Sequence, residues 1–220
     1  MKNINKIIGV GMSKTGTTTL AACLEILGVG PHKSYDRRLK QWVQGGKIDK
    51  VLENADRYRS YEDAPWYLIY RELDTRYPGS KFILTVRKDS QSHAKSAWYH
   101  GVAAGTRKGE PDDDYIQQKI EIYEKHNAGV KEYFKDRLDD LLVLCWENGD
   151  GWQELCEFLG AENPGIPIPK ANVGRYRNPA GLIKKILTKT GVYPLWLKLR
   201  YMFASNVLIQ TLKRRLTGQD

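Results

Sequence analysis

Long apolar runs are missing from this sequence. No stretch reaches the about eighteen uninterrupted apolar residues that a membrane-crossing helix needs, so none is expected. Cysteine is scarce as well: Cys23, Cys145 and Cys156 lie far apart with no CxxC spacing. That pattern excludes a disulfide framework and a cysteine-based metal knot, and it fits a reducing compartment. The opening segment MKNINKIIGVGMSKTGTT is interrupted by glycine, lysine and threonine soon after Val10, so no secretory signal is expected and a cytoplasmic location is. Repeats and low-complexity segments are absent too. What remains is ordinary globular composition in 220 residues, enough for one substantial core and too short for two catalytic domains.

Acidic residues fail at one end. Of the 35 lysines and arginines, ten stand between Arg175 and Asp220, where Asp220 is the only acid. The formal net charge of +9 therefore belongs to the tail, and the rest of the chain balances. We divide the chain into a domain over 1–178 and a basic amphipathic helical tail over 179–220.

Within the domain, strands and helices alternate. KIIGV at Lys6–Val10 reads as a strand, followed by a glycine-bearing turn and a helix carrying Leu20, Cys23, Leu24 and Leu27 at helical spacing. Val29–Tyr35 is a second short strand and Gln41–Asn54 a polar helix, broken near Gly45 and Gly46. Tyr58–Glu62 leads to a turn at Asp63-Ala64-Pro65, then to a helix over Trp66–Tyr77. KFILTV at Lys81–Val86 reads as a parallel strand covered on both faces. Further helices follow at Ser90–His100 and Tyr115–Arg137, the latter with Asp112–Asp114 at its start. Between them, Gly101–Asp114 reads as a mobile loop. LLVLCW at Leu141–Trp146 is another buried strand, and Trp152–Leu159 a short helix. The order implies an α/β fold with a P-loop-type doubly wound parallel sheet flanked by helices. In such sheets ligands bind beyond the carboxyl ends of the strands, where Gly11–Thr18, Asp63 and Arg87 all fall.

The first of these is an anion loop by its chemistry. A glycine-bearing turn between strand and helix points N–H groups and a helix dipole at its ligand. Read as a nucleoside-triphosphate loop, GMSKTGTT places Thr17 where lysine is required, and Lys14 comes three positions early. A triphosphate enzyme is thereby disfavoured. SKTGTTTL instead resembles the PKSGTT-type phosphosulfate loop of PAPS-dependent P-loop sulfotransferases, with Ser13 in place of the common proline. The order YEDAPW, YPGSKFILTVRKD, ENGDGWQELCEFLG and PGIPIPKANV is similar to a bacterial and fungal branch of that family, over roughly residues 6–173.

The resemblance implies a set of roles. Ser13, Lys14, Thr15, Gly16, Thr17 and Thr18 would bind the 5′-phosphosulfate of the co-substrate PAPS, Lys14 neutralising charge on the bridging oxygen. Arg87 would read the 3′-phosphate together with a serine of the following helix. In the family that serine stands where this chain has Lys95; Ser96 follows by one and is preferred, with Ser92 as the alternative. YEDAP aligns with a turn that carries the general base, which makes Asp63 the base, with Glu62 and His32 in reserve. Trp152, Leu155 and Phe158 would be core, and no metal is required.

The tail places Leu195, Leu199, Met202, Phe203 and Ile209 among cations, a pattern suited to peripheral membrane contact through 182–216 or to packing on protein. Nucleic acid is not expected. The implied activity is sulfuryl transfer from PAPS to a hydroxyl or amine of a carbohydrate, lipid or small molecule. The alternatives are a nucleotide-dependent P-loop phosphotransferase and an inactive membrane- or protein-binding scaffold.

Overall fold

Five short parallel strands carry the fold in a computed structural model that describes residues 4–169. The strands are β1 (Ile7–Gly9), β2 (His32–Lys33), β3 (Ser60–Tyr61), β4 (Lys81–Thr85) and β5 (Leu141–Leu144), in the spatial order β2-β3-β1-β4-β5. The register pairs Ile7 with Ser60 on one side and with Lys81 on the other. The chain leaves β1 toward one edge and later returns to the opposite side through β4 and β5. The switch point therefore lies between the carboxyl ends of β1 and β4, which is where such sheets open a crevice.

Alternation along the strands feeds two cores. Ile7 and Ile83 face one side and pack on α1 (Thr17–Ile26) and α7 (Trp152–Leu159) through Leu20, Leu24, Trp152 and Leu155. Ile8, Phe82 and Leu84 face the other side. There they meet α2 (Arg37–Gln44), α3 (Ile48–Ala55), α4 (Tyr70–Arg76) and α6 (Asp113–Tyr133). Phe82 and Phe134 pack their rings 4.6 Å apart at a tilt of 40° in that layer. With helices on both faces, the expected doubly wound α/β fold is what the chain adopts.

Several expected elements differ in detail. The polar helix of Gln41–Asn54 is two helices, α2 and α3, because Gly45 closes the first and Gly46 adopts a φ of 70° between them. The helix at Trp66–Tyr77 begins as a separate 3₁₀ turn over Trp66–Leu68 before α4 starts. α5 (Ser90–Ala103) runs beyond His100 and takes in the start of the expected loop. β5 is an edge strand, so Val143 stays 38% exposed despite the apolar run around it. The loop between α5 and α6 is held down: the Arg107 guanidinium lies 4.8 Å from the Trp98 ring and 4.1 Å from that of Tyr115, and Trp98 Nε1 donates to the Gly109 carbonyl. Trp152 and Leu155 are buried and Phe158 packs partly buried against the same core. All three cysteines are free and buried. No helix of the described residues is long and apolar enough to cross a membrane. The basic tail of 179–220 lies outside the described residues.

Candidate active site

The loop between β1 and α1 is shaped from within by its own hydroxyl. Thr15 Oγ1 donates to the Met12 carbonyl at 2.7 Å and meets Thr85 Oγ1 at 2.6 Å, tying the loop to the end of β4. Thr15 is 1% exposed, and its side chain closes the loop. Gly11 allows that closure. A Cβ there would sit 2.1 Å from Thr85 Oγ1 and 2.5 Å from the Thr85 carbonyl oxygen. Gly11→Ala is therefore expected to destabilise the fold by about 2–3 kcal/mol, because neither loop nor strand can give way cheaply. Urea denaturation checks it; an unchanged midpoint would mean the loop is not packed this tightly.

Gly16 is required for a different reason. Its φ is 92°, and a Cβ would fall 2.4 Å from Cδ1 of Trp146, whose ring covers the loop from the end of β5. Gly16 also caps α1 without a side chain, and the first turn of α1 carries no acid. By contrast α2, α5 and α6 are capped by Asp36, Asp89 and Asp112. Among the described residues the α1 terminus carries neither a side-chain cap nor a first-turn carboxylate, so its dipole faces the loop. Thr17 is buried at the base of that turn and Thr18 is exposed.

Lys14 and Asp63 share a feature: with φ of 79° and 67° they are the two non-glycine residues in the left-handed region among the described residues. Such backbone is costly and collects at functional sites. Ser13 joins the two, since its hydroxyl donates to Asp63 Oδ1, which also accepts from the Ala64 N–H at 2.7 Å. Burial holds the Asp63 carboxyl above the ordinary carboxylate range. Its bond from Ser13 opposes that rise and the neighbouring Glu62 charge adds to it. Burial likewise lowers the Lys14 ammonium, against the pull of Asp63. His100, lowered mainly by burial, senses the charges of both Lys14 and Asp63.

The reserve bases lie elsewhere. Glu62 is 1% exposed, and its carboxylate accepts from the Ser34 hydroxyl and lies 3.8 Å from His32 Nε2. His32 Nδ1 in turn meets Ser60 Oγ at 2.7 Å. These four side chains form a polar cluster along β2 and β3 with Ser34 at its exposed end.

Arg87 follows β4 and bridges two elements. Its Nη2 lies 2.7 Å from Glu147 Oε1, and its Nη1 donates weakly to the Lys14 carbonyl at 3.5 Å. Its Nε is buried without a hydrogen-bond partner. Glu147 also accepts from the Lys88 N–H at 3.0 Å, so one carboxylate fixes the turn after β4. On α5, Ser96 is half-buried and stands three residues from His93, on the helix face turned toward the loop, whereas Lys95 is exposed on the far side. Ser92 is occupied at the helix start, its hydroxyl donating to Asp89 at 2.8 Å.

Four participants had no sequence signal: Trp146, Glu147, the buried His93 and the half-buried His126. The histidines hold loop carbonyls from the helical side, His93 Nε2 at Ser13 (3.1 Å) and His126 Nε2 at Val10 (2.7 Å). Burial pushes His93 down to about 4, and it lowers His126 as well. Among the described residues no cluster of histidine, cysteine or carboxylate side chains is suited to hold a metal.

A family described as "Sulfotransferase domain" matches residues 6–110 and 93–176. "Ava biosynthesis cluster protein M" of Aspergillus versicolor is 24% identical over 230 aligned positions, spanning 79% of this chain and 85% of the relative. The matched residues include the loop, the Asp63 turn, Arg87 and the whole sheet, and the chain belongs to the sulfotransferase-domain family.

Proposed function

We propose that the chain transfers a sulfuryl group from PAPS to the hydroxyl or amine of a carbohydrate, lipid or small-molecule acceptor by in-line displacement. The observation that carries this reading is the pairing of Lys14 and Asp63 in strained backbone, joined through Ser13 at the start of a helix without a side-chain cap. The two groups are matched to opposite ends of one displacement. Asp63 takes the acceptor proton as the acceptor oxygen or nitrogen bonds to sulfur. The bond from sulfur to the phosphate-bridging oxygen breaks, and its electron pair stays on the nucleotide. Lys14 then meets that oxygen, and its lowered pKa makes it a better hydrogen-bond donor there.

The loop amides and the α1 dipole suit the 5′-phosphosulfate. Ser13 contributes by orienting Asp63, and Thr15 by closing the loop, so direct contact falls to the side chains of Lys14 and Thr18 and to the backbone amides of Gly16 and Thr17. Arg87 supplies the 3′-phosphate contact, its fork exchanging part of its bond with Glu147 for phosphate oxygens. Ser96 supports it from α5. Asp63 is favoured over Glu62 and His32 because a base must reach an acceptor, and those two are enclosed. The relative's name ties it to a biosynthesis cluster, which favours a small-molecule acceptor here.

Calorimetry tests the donor. Adenosine 3′,5′-bisphosphate is expected to bind, and ATP with magnesium to bind far less. The reverse preference would sink the sulfotransferase reading in favour of a phosphotransferase. Arg87→Ala should weaken adenosine 3′,5′-bisphosphate by about tenfold or more while adenosine 5′-phosphate changes little. Comparing the two nucleotides cancels whatever the substitution does to the Glu147 contact. Equal losses for both would remove Arg87 from the 3′-phosphate.

A further inference from the structure

The loop that carries Lys14 is held from behind by α5 and α6, which carry neither Lys14 nor Asp63. His93 of α5 is 3% exposed, and its Nε2 lies 3.1 Å from the Ser13 carbonyl oxygen. A carbonyl only accepts, so Nε2 carries the proton and His93 is the donor. The imidazole stacks on the Tyr123 ring of α6, with centroids 4.1 Å apart and planes inclined by 14°. Tyr123 Oη in turn accepts the Arg87 backbone N–H at 2.8 Å.

These contacts form one continuous line. Asp63 holds the Ser13 hydroxyl, His93 holds the Ser13 carbonyl, Tyr123 packs on His93, and Arg87 hangs its backbone on Tyr123. The base turn after β3, the anion loop after β1 and the arginine after β4 are thus referred to a common support on α5 and α6. Ser13 is its centre, because it is pulled from both sides one residue before the strained Lys14.

We infer that His93 is a positioning residue: its Nε2–H fixes the Ser13 peptide, and through it the placement of Lys14 relative to Asp63 and Arg87. This rests on the sulfotransfer reading for its kinetic consequence, but not for its effect on the loop. The donor must be neutral histidine. Arg87 and Lys119 set positive charge against the ring, burial keeps the neighbouring His126 toward its own neutral form, and Nδ1 of His93 is buried without a partner, so a second proton finds no acceptor there. Tyr123, the remaining titratable group against it, is held neutral by burial. The chemistry asked of His93 is one oriented N–H, and a glutamine amide reaches similarly.

Two variants of the full chain separate that role from packing. His93→Phe keeps an aromatic ring on Tyr123 and removes the donor; His93→Gln restores a donor and loses the stack. In His93→Phe, amide hydrogen exchange over residues 13–18 should speed up by about tenfold. Release of adenosine 3′,5′-bisphosphate from PAPS, with water or an added alcohol as acceptor, should slow by about tenfold or more, with nucleotide affinity changed less than about threefold. His93→Gln should recover both to within about threefold of the parent. Unchanged loop exchange in His93→Phe, or a His93→Gln as impaired as His93→Phe, would overturn the inference. A parent chain that binds no adenosine 3′,5′-bisphosphate would sink the sulfotransfer reading instead, and the exchange experiment would still decide the role of His93.

Discussion

Replacing Asp63 with asparagine is expected to lower turnover by about 10²–10⁴-fold, the usual contribution of a positioned base, while donor binding is retained. The geometry makes this substitution unusually clean. Asp63 Oδ1 accepts from both the Ser13 hydroxyl and the Ala64 N–H. An asparagine oxygen can accept both, so turn and loop keep their placement and only the proton acceptor is lost. Stability should not suffer. A carboxyl whose pKa is raised by folding stabilises the native state most when protonated, and that contribution fades as pH rises through the folded pKa. At neutral pH the native state therefore carries the cost of a buried charge, and asparagine removes it. Thermal denaturation at pH 7 should find Asp63→Asn at least as stable as the parent.

The same shift sets the pH dependence. Activity requires the ionised carboxylate, so kcat/KM should fall as pH drops through a pKa above the ordinary carboxylate range. Burial is its main cause, with the Glu62 charge adding to it. Asp63→Asn should lose that acid limb together with the rate. A variant with full activity and an unchanged pH profile would show that another group takes the acceptor proton.

How far the sequence foretold this site depends on whether local chemistry or tertiary contact makes each part. β1, the loop and α1 were legible because a β-branched run, glycines and a helical repeat adjoin one another. KFILTV was legible as β4 because a strand covered on both faces must be apolar throughout. Trp152–Leu159 begins and ends where its pattern says, with Glu154 reaching back to the Gly151 N–H. Asp112 caps α6 as its position suggests.

The contacts that give the site its geometry left no such trace. His93 and His126 sit in helices whose neighbours look ordinary, and their targets are carbonyls 80 and 116 residues away. Glu147 reads as one carboxylate in a polar turn until the fold brings it to Arg87. Thr15 is the instructive case. Its residue type and place in the loop suit a phosphate hydroxyl, yet its side chain is spent against Met12 and Thr85. Composition also misled at β5, where an apolar run does not reveal an edge.

Lys14→Gly should separate function from stability in the opposite sense to most active-site changes. Lys14 stands at a φ of 79°, a conformation that costs an L-residue with a side chain about 1–2 kcal/mol. Glycine accepts that backbone freely and gives back about 0.5–1 kcal/mol through its greater freedom when unfolded. The folded state should then be unchanged or more stable by up to about 1.5 kcal/mol. Turnover should meanwhile fall by about 10²–10³-fold, the usual loss when a charge-stabilising donor is removed from the transition state. Lys14→Ala offers the control, because it loses the ammonium and keeps the strained backbone. It should match Lys14→Gly in rate and fall below it in melting temperature. If the two variants melt together, the left-handed backbone at Lys14 is not held against a cost. If Lys14→Gly retains its rate, the lysine does not meet the departing oxygen. Together the two outcomes decide whether the strain is sustained by the enclosing contacts of Ser13, Thr15 and Arg87 for the sake of placing one ammonium at the end of α1.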